Sequence, residues 1–339
     1  MIIHTDISED RVFSRSPNLL RILLKDQTSS KDGTDNNIIW ATNDYNKLGN
    51  GYNFHDQILP HLITGDKNNV IRPRILKEKD NLTSRVRDRA EVFTPAWVCN
   101  FQNNLIDNEW FGKKEVFNTE FISHSGSHTW KTNKNKITFP KNKNWLDYIF
   151  DKRIEISCGE APYLVSRYDL ASGESIPITE RIGLLDRKLR VVSENTSNES
   201  EWIQAATTSY KNIYGYEWQG DSLLIARESL LFSFVEYFYD KFKKLPSADS
   251  VEKIAHIISW NIWQMDGIKG VIPDSCHETT YKTESLFGDI EEEKIPCEGC
   301  KNNNINSHNG IYCYIKDWFP DNIHTQGHEI RVRYIDLLR

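Results

Sequence analysis

The stretch Ile154-Glu-Ile-Ser-Cys-Gly-Glu-Ala-Pro-Tyr-Leu164 decides how this chain is read. Arg153 to Ser157 makes a short strand. Cys158-Gly-Glu-Ala-Pro162 turns off its carboxyl end, and Tyr163-Leu-Val165 continues. In open α/β sheets, ligands bind where loops leave the carboxyl ends of strands. A glycine in such a loop lets a ligand approach the backbone closely. Taken alone, a Cys-Gly turn is an ordinary strand end, and its neighbours give it weight.

Downstream, Trp202 to Tyr210 reads as a helix and Ile213-Tyr-Gly-Tyr-Glu217 as a strand ending in an acid. Asp221 then caps a helix with Leu223, Ala226, Leu230, Phe234, Phe238 and Phe242 three or four apart, the spacing of an amphipathic face. A second helix from about Asp249 leads into Trp260-Asn-Ile-Trp-Gln-Met-Asp266, another helix–strand–acid unit. An acid at the end of the second strand of a nucleotide-binding fold accepts hydrogen bonds from ribose hydroxyls. Glu217 stands in that place, with a surface glutamate as the bland alternative. Asp266 ends the third strand.

Upstream lies Arg89-Ala-Glu-Val-Phe-Thr-Pro95. Thr94 suits an N-cap and Pro95 the first helical position. Val98, Phe101 and Leu105 follow at helical spacing. Residues 71–90 are basic, with Arg72, Arg74, Lys77, Lys79, Arg85, Arg87 and Arg89 against three acids. They read as a phosphate-contacting segment or as a solvated face. The Lys/Asn-rich stretch from Phe117 to Asn144 reads as a hairpin loop. Arg167 to Pro177 carries hairpin turn chemistry, and Arg181 to Val192 reads as a helix with solvated charges.

The 339 residues suffice for one large domain or two ordinary ones. Mean hydropathy of −0.59 and no long apolar run exclude a bilayer-spanning helix. The first residues lack the basic flank and apolar run of a signal peptide, which places the chain in the cytoplasm. With a net charge of −6, any nucleic-acid contact must come from local basic patches. Four of the six cysteines lie late: Cys276, Cys297, Cys300 and Cys313. Cys297-Glu-Gly-Cys300 has zinc-knuckle spacing, and four thiolates would complete a tetrahedral site. The alternative is a set of unrelated reduced cysteines.

Phe93-Thr-Pro95, Cys158-Gly159, Glu217 and Asp266, in this order, resemble the cofactor motifs of gamma-type adenine-N6 DNA methyltransferases, in the branch of restriction-system modification subunits. The resemblance covers residues 89–270. It implies that Phe93, Thr94 and Pro95 line the pocket for the methionine end of S-adenosyl-L-methionine. Cys158, Gly159 and Glu160 would wrap the cofactor, Glu217 would hold the ribose and Asp266 would face the adenine ring. It further implies a Rossmann-like α/β methyltransferase sheet with helices on both faces over 89–272 and an insertion near 166–199. A mixed α+β region would precede it over 1–88, and a small cysteine-containing segment would follow over 273–339.

The sequence departs from the family in three places. Glu155-Ile156 stands for the family's Asp-Pro, and Ala161 for its second loop glycine, while Tyr163-Leu164 is kept. Methylating an exocyclic amine needs acceptors for its N–H groups and an aromatic face for the flipped base. The family supplies these from an Asn/Asp-Pro-Pro-Tyr motif, and none of the eleven prolines here is adjacent to another. The chain stops at Ile335-Asp-Leu-Leu-Arg339, about where the strand carrying that motif would begin. The expected activity is therefore that of a modification component acting on double-stranded DNA. A second chain would carry the catalytic motif, or a restriction or specificity subunit would partner it. The alternative is a catalytically inactive methyltransferase-fold module that binds DNA or a partner.

Overall fold

The computed structural model describes residues 16–31, 33–76, 94–284, 290–319 and 330–338, with only the backbone described at 281–284 and 290–293. In chain order the helices α1 (Pro17–Leu24), α2 (Pro60–Ile63) and α3 (Ala96–Phe111) come first. A hairpin of β1 (Asn118–Ile122) and β2 (His128–Thr132) follows, then α4 (Trp145–Phe150). Strand β3 (Arg153–Glu155) leads through α5 (Leu184–Asn195) and α6 (Glu199–Lys211) to β4 (Ile213–Glu217). Next, α7 (Gly220–Phe242) and α8 (Ala248–Asn261) lead to β5 (Ile262–Gln264). The hairpin β6 (Thr279–Glu284)/β7 (Ile290–Ile295), the short α9 (Glu298–Asn302) and the antiparallel pair β8 (Tyr314–Asp317)/β9 (Ile330–Arg333) complete the described chain.

The architecture is mixed α/β, and its organising sheet is parallel. Strands β3, β4 and β5 lie side by side in sequence order, with Arg153 opposite Ile213 and Gly215 opposite Ile262. Parallel neighbours need long crossovers, and both crossovers here are helical. The middle strand, β4, is buried at all five positions, as a strand covered on both faces requires. Gly215 on it is a place of close approach: an added Cβ would stand 3.4 Å from both Cys158 Sγ and Ile262 Cδ1. That opening lets the turn after β3 tuck against the sheet.

The expected amphipathic helix after Glu217 is instead a buried one. Helix α7 spans 23 residues and hides Asp221, Arg227 and Glu228 as well as its apolar side chains. Its N-cap is Gln219, and Asp221 sits inside the first turn, where its carboxylate accepts the Tyr45 hydroxyl at 2.7 Å. Arg227 donates to the carbonyls of Ile262 (2.7 Å), Lys25 (3.0 Å) and Ser259 (3.2 Å). It thereby ties α1, the end of α8 and the start of β5 to one side chain. Gln264 binds the N–H of Ile39 at 2.9 Å and its carbonyl at 2.8 Å, which fastens the amino-terminal segment to the end of β5.

Helix α3 turns the opposite way from the expected face. Phe101 and Leu105 are exposed, while Asn100, Asn103 and Asp107 are buried. Buried polar groups need partners, and each of these side chains has them, although Asn103 Oδ1 itself is left without one. Asp107 accepts from Arg187 at 2.6 Å, from the Tyr148 hydroxyl at 3.0 Å and from Arg153 at 3.3 Å. Asn103 donates to the carbonyls of Tyr163 and Ile182, both at 3.0 Å. The expected solvated charges of α5, Asp186, Arg187 and Lys188, are all fully buried: Arg187 joins this network, Asp186 accepts from Ser166 and Gly183, and Lys188 donates to backbone carbonyls. The hairpin expected between Phe117 and Asn144 is present, and Lys131, Lys134, Lys136 and Lys141 on and beyond it are exposed. The strand expected at Ile38–Ala41 reduces to an isolated bridge between Ile39 and Gln57.

Candidate strand-end crevice and metal centre

At the carboxyl end of β3 the backbone coils tightly. Ser157, Gly159 and Ala161 all adopt left-handed φ values, of 48°, 55° and 61°. Glu155 organises the coil from within: its carboxylate accepts the N–H groups of Leu164 at 3.2 Å and Tyr163 at 3.4 Å. Burial pushes the Glu155 carboxyl well above the usual range, the two N–H groups pull it down, and Glu217 pushes it further up. The Cys158 N–H donates to the Tyr216 carbonyl at 2.8 Å, and its thiol is buried.

Glu217 stands at the end of β4, as expected, and the structure brings it to the Cys158-Gly159 turn. Its Oε2 accepts the Gly159 N–H at 2.8 Å and its Oε1 the Gln219 N–H at 3.2 Å. It is 6% exposed. Burial raises its pKa, and the Arg74 guanidinium beside it works in the opposite direction. Glu160 is turned to the same arginine: Oε1 accepts the Arg74 backbone N–H at 2.6 Å and Oε2 the Tyr168 hydroxyl at 2.5 Å. Arg74 reaches on to the Ser222 hydroxyl at 3.3 Å, in the first turn of α7. Arg74 is thus a buried member of this site, although the sequence reading placed it in a phosphate-contacting or solvated basic segment. Its position after Pro73, before a long basic run, offered no signal for this.

The other expected cofactor residues are spread around this point. Phe93 lies outside the described residues. Thr94 and Pro95 are half-buried before α3, and Pro95, not Thr94, is the N-cap. Prolyl nitrogen has no hydrogen to give, and the first helical N–H, from Ala96, is taken by Asp169 Oδ2 at 2.6 Å. This bond links the Thr94-Pro95 turn to the segment that follows β3. Asp266, just beyond β5, is 4% exposed and engaged in its own turn. Its Oδ1 accepts from Ile268 N–H at 3.0 Å and Lys269 N–H at 3.1 Å, and its Oδ2 lies 3.5 Å from Lys269 Nζ.

The second cluster could hold a metal, and it keeps all but one of the expected ligands. Cys276, Cys297 and Cys300 converge, but the fourth donor is His308 and not Cys313. The four ligand atoms lie within 4.8 Å of one another. Each of the three Sγ atoms is 3.6 Å from His308 Nδ1. One ring nitrogen cannot hydrogen-bond three thiols in its single in-plane direction. Zn–S bonds of about 2.3 Å and Zn–N bonds of about 2.0 Å give a tetrahedron with S···N edges of roughly 3.6 Å. The three equal separations match those edges, so the donor set fits a four-coordinate metal. Gly299 makes room for this, because a Cβ there would stand 2.6 Å from His308 N and Nδ1.

The surroundings support the same role. The Asn309 N–H points at Cys297 Sγ at 3.3 Å. Burial alone would raise the Cys297 thiol, but the backbone N–H groups of Asn309 and Cys300, His308 and Cys276 outweigh it and bring the thiol down. Cys313 is excluded by burial: it is 0% exposed and its thiol donates to the Gln264 carbonyl at 3.3 Å. Counting cysteines pointed to Cys313. The signal for His308 was its place in the Ser307-His-Asn-Gly310 turn, His308 itself being eight residues beyond Cys300.

Comparison with known proteins gives no matching family model, no matching curated protein and no matching solved structure. Among the described residues, no helix is long and apolar enough to cross a membrane.

Proposed function

We propose that the chain is the modification component of a restriction system. It would bind S-adenosyl-L-methionine at the carboxyl ends of β3 to β5 and act on adenine-N6 in double-stranded DNA together with a chain that carries the catalytic motif. The observation that carries this is the contact between the Gly159 turn and Glu217. A left-handed loop after one parallel strand is closed onto the acid at the end of the next, the arrangement in which α/β folds hold a nucleoside. Ala161 adds support, since its φ of 61° is one that glycine, the family's residue there, adopts without strain.

The residues fit the cofactor in kind. Glu217 would take the ribose hydroxyls, the Cys158–Ala161 loop would lie against the sugar and the methionine portion, and Thr94 and Pro95 would flank it. The cofactor would supply the transferable methyl group, and this chain would bind and orient it. Arg74 would have to yield part of its position beside Glu217. The exposed lysines of the β1–β2 region would meet DNA phosphates. The metal at Cys276, Cys297, Cys300 and His308 would be zinc in a closed structural site, because four protein donors leave no position for substrate.

Calorimetric titration with S-adenosyl-L-methionine tests the reading, using the full chain and Glu217→Ala. Binding that disappears in the variant is the expected result. Absence of binding by the folded chain rejects it. The second reading, a methyltransferase-fold module that binds DNA or a partner without cofactor, then leads. The observation favouring that second reading is that Glu217 and Glu160 already have protein partners on both oxygens.

A further inference from the structure

The metal centre and the Asp266 turn are two ends of one hydrogen-bonded segment. From Asp266 the chain makes a tight turn, with Asp266 N–H to the Val271 carbonyl and Gly270 N–H to the Asp266 carbonyl, both at 2.8 Å. It then runs antiparallel to residues 309–313. Cys313 N–H reaches the Gly270 carbonyl at 3.0 Å, Ile272 N–H the Ile311 carbonyl at 2.8 Å, and Ile311 N–H the Ser275 hydroxyl at 3.0 Å. Val271 bridges Tyr312 as well as Asp266. At the far end Asn309 clasps His277, with its side chain donating to the His277 carbonyl at 2.7 Å and accepting the His277 N–H at 3.2 Å.

Two of the metal donors sit at that far end, one on each run: Cys276 on the first and His308 on the second. The opposite end is fastened to the sheet by Cys313, whose thiol meets the Gln264 carbonyl of β5. Val271, Ile272 and Cys313 at the near end are buried, but the far end, 274–278 and 306–311, is half-buried or exposed and has little apolar burial to hold it. A metal that bridges both runs supplies free energy an apo segment lacks. Lys269 Nζ is 3.5 Å from Asp266 Oδ2, and Cys276 and Cys300 lie near enough to act on its charge. A tetrahedral zinc with three thiolates and a neutral imidazole carries a net charge of about −1, which suits a lysine held at this point.

We propose that metal binding at Cys276, Cys297, Cys300 and His308 fixes the Asp266–Val271 turn at the end of β5, so that the strand-end crevice takes its ligand only in the metal-loaded protein. The metal thus acts as a positioning element for a site it does not touch. The part of this inference that concerns the ligand rests on the function proposed above. The part that concerns the turn does not.

The test is amide hydrogen exchange on the full chain, zinc-loaded, stripped with a chelator, and reloaded, with zinc content measured in each sample. Exchange at Gly270, Ile272 and Cys313 should speed at least tenfold on stripping and recover on reloading, while Cys158 in the β3 turn keeps its protection. Cys300→Ser should reproduce the stripped pattern. Unchanged protection of the three amides in zinc-free protein overturns the proposal. So does loss of protection at Cys158 as well, which would make the metal a support of the whole fold. Titration with S-adenosyl-L-methionine of loaded and stripped samples gives the second readout, with affinity expected to fall at least tenfold without zinc. Equal binding in both overturns the coupling, whereas binding in neither rejects the cofactor reading and leaves exchange to decide the turn.

Discussion

Arg74 lies across Gly159. A Cβ built on that glycine would stand 3.4 Å from both terminal nitrogens of the guanidinium. The arginine is 8% exposed and is the cation that offsets the buried charge of Glu217. Removing one partner from a buried charged group leaves the other uncompensated. Arg74→Ala should therefore destabilise the chain by about 1–3 kcal/mol in urea unfolding. The loss should be larger at mildly alkaline than at mildly acidic pH, where Glu217 can take up a proton. A cost that does not vary with pH would show that the two side chains do not share charge.

Ala161 occupies left-handed backbone that glycine tolerates without a Cβ penalty. It is fully buried, and its carbonyl accepts from Leu164 and Val165, so the local conformation is held by its surroundings. Ala161→Gly should stabilise the protein by about 0.5–1 kcal/mol, after allowing for the greater freedom of glycine in the unfolded chain. A drop in thermal midpoint would mean that the methyl packs better than the backbone suffers.

Glu155 gives a pH signature whose sign follows from its environment. Burial holds its carboxyl well above the ordinary glutamate value in the folded chain. Above that ordinary value the unfolded chain has released the proton while the native chain still keeps it. The native state then binds more protons, and stability falls as pH rises until the folded value is passed. Relative to Glu155→Gln, which does not titrate, the wild type should lose stability from about pH 5 upward, by up to about 1.4 kcal/mol per pH unit. A constant difference between the two proteins across that range would contradict a raised value.

Helix α3 predicts an inverted substitution pattern. Phe101→Ser and Leu105→Ser touch side chains that are 47% and 53% exposed and should change stability by about 0.5 kcal/mol or less. Asp107→Ala strands Arg187, which is 1% exposed, and should cost about 3–5 kcal/mol. The opposite ranking by urea unfolding would mean that the helix is turned the other way.

The order of strands and crossover helices was legible in the sequence because strand-ending acids, turn residues and helical spacing all repeat at each unit. That is why the sequence placed Glu217 at a strand end and a turn at Cys158-Gly159, whereas Cys276, Cys297 and Cys300 were legible from cysteine count and spacing. What was hidden shares one cause. Arg74, Asp107, Asp186, Arg187 and Lys188 are charged residues that the fold buries by pairing them or, for Lys188, by offering it the carbonyls of Ile149, Asp151 and Asn212. Local pattern treats every charge as solvated, since the partner that makes burial affordable is far away in the chain. The same rule misplaced the apolar stripe of α3. His308 escaped because a ligand set is chosen by convergence in space, and like residue types near one another in sequence are only a proxy for it.

The parallel register of the three short strands has a kinetic consequence. Arg153 meets Ile213 and Gly215 meets Ile262 only after both helical crossovers have formed or collapsed. No hairpin within this sheet can nucleate it, so loop-closure entropy comes before any ladder bond. Until then Ile154 in β3 and Ile156 just beyond it, still 47% and 66% exposed in the finished fold, flank a strand edge with no partner. Refolding from denaturant should accordingly be slow and sensitive to protein concentration, with aggregation competing at the step where β3 waits for β4.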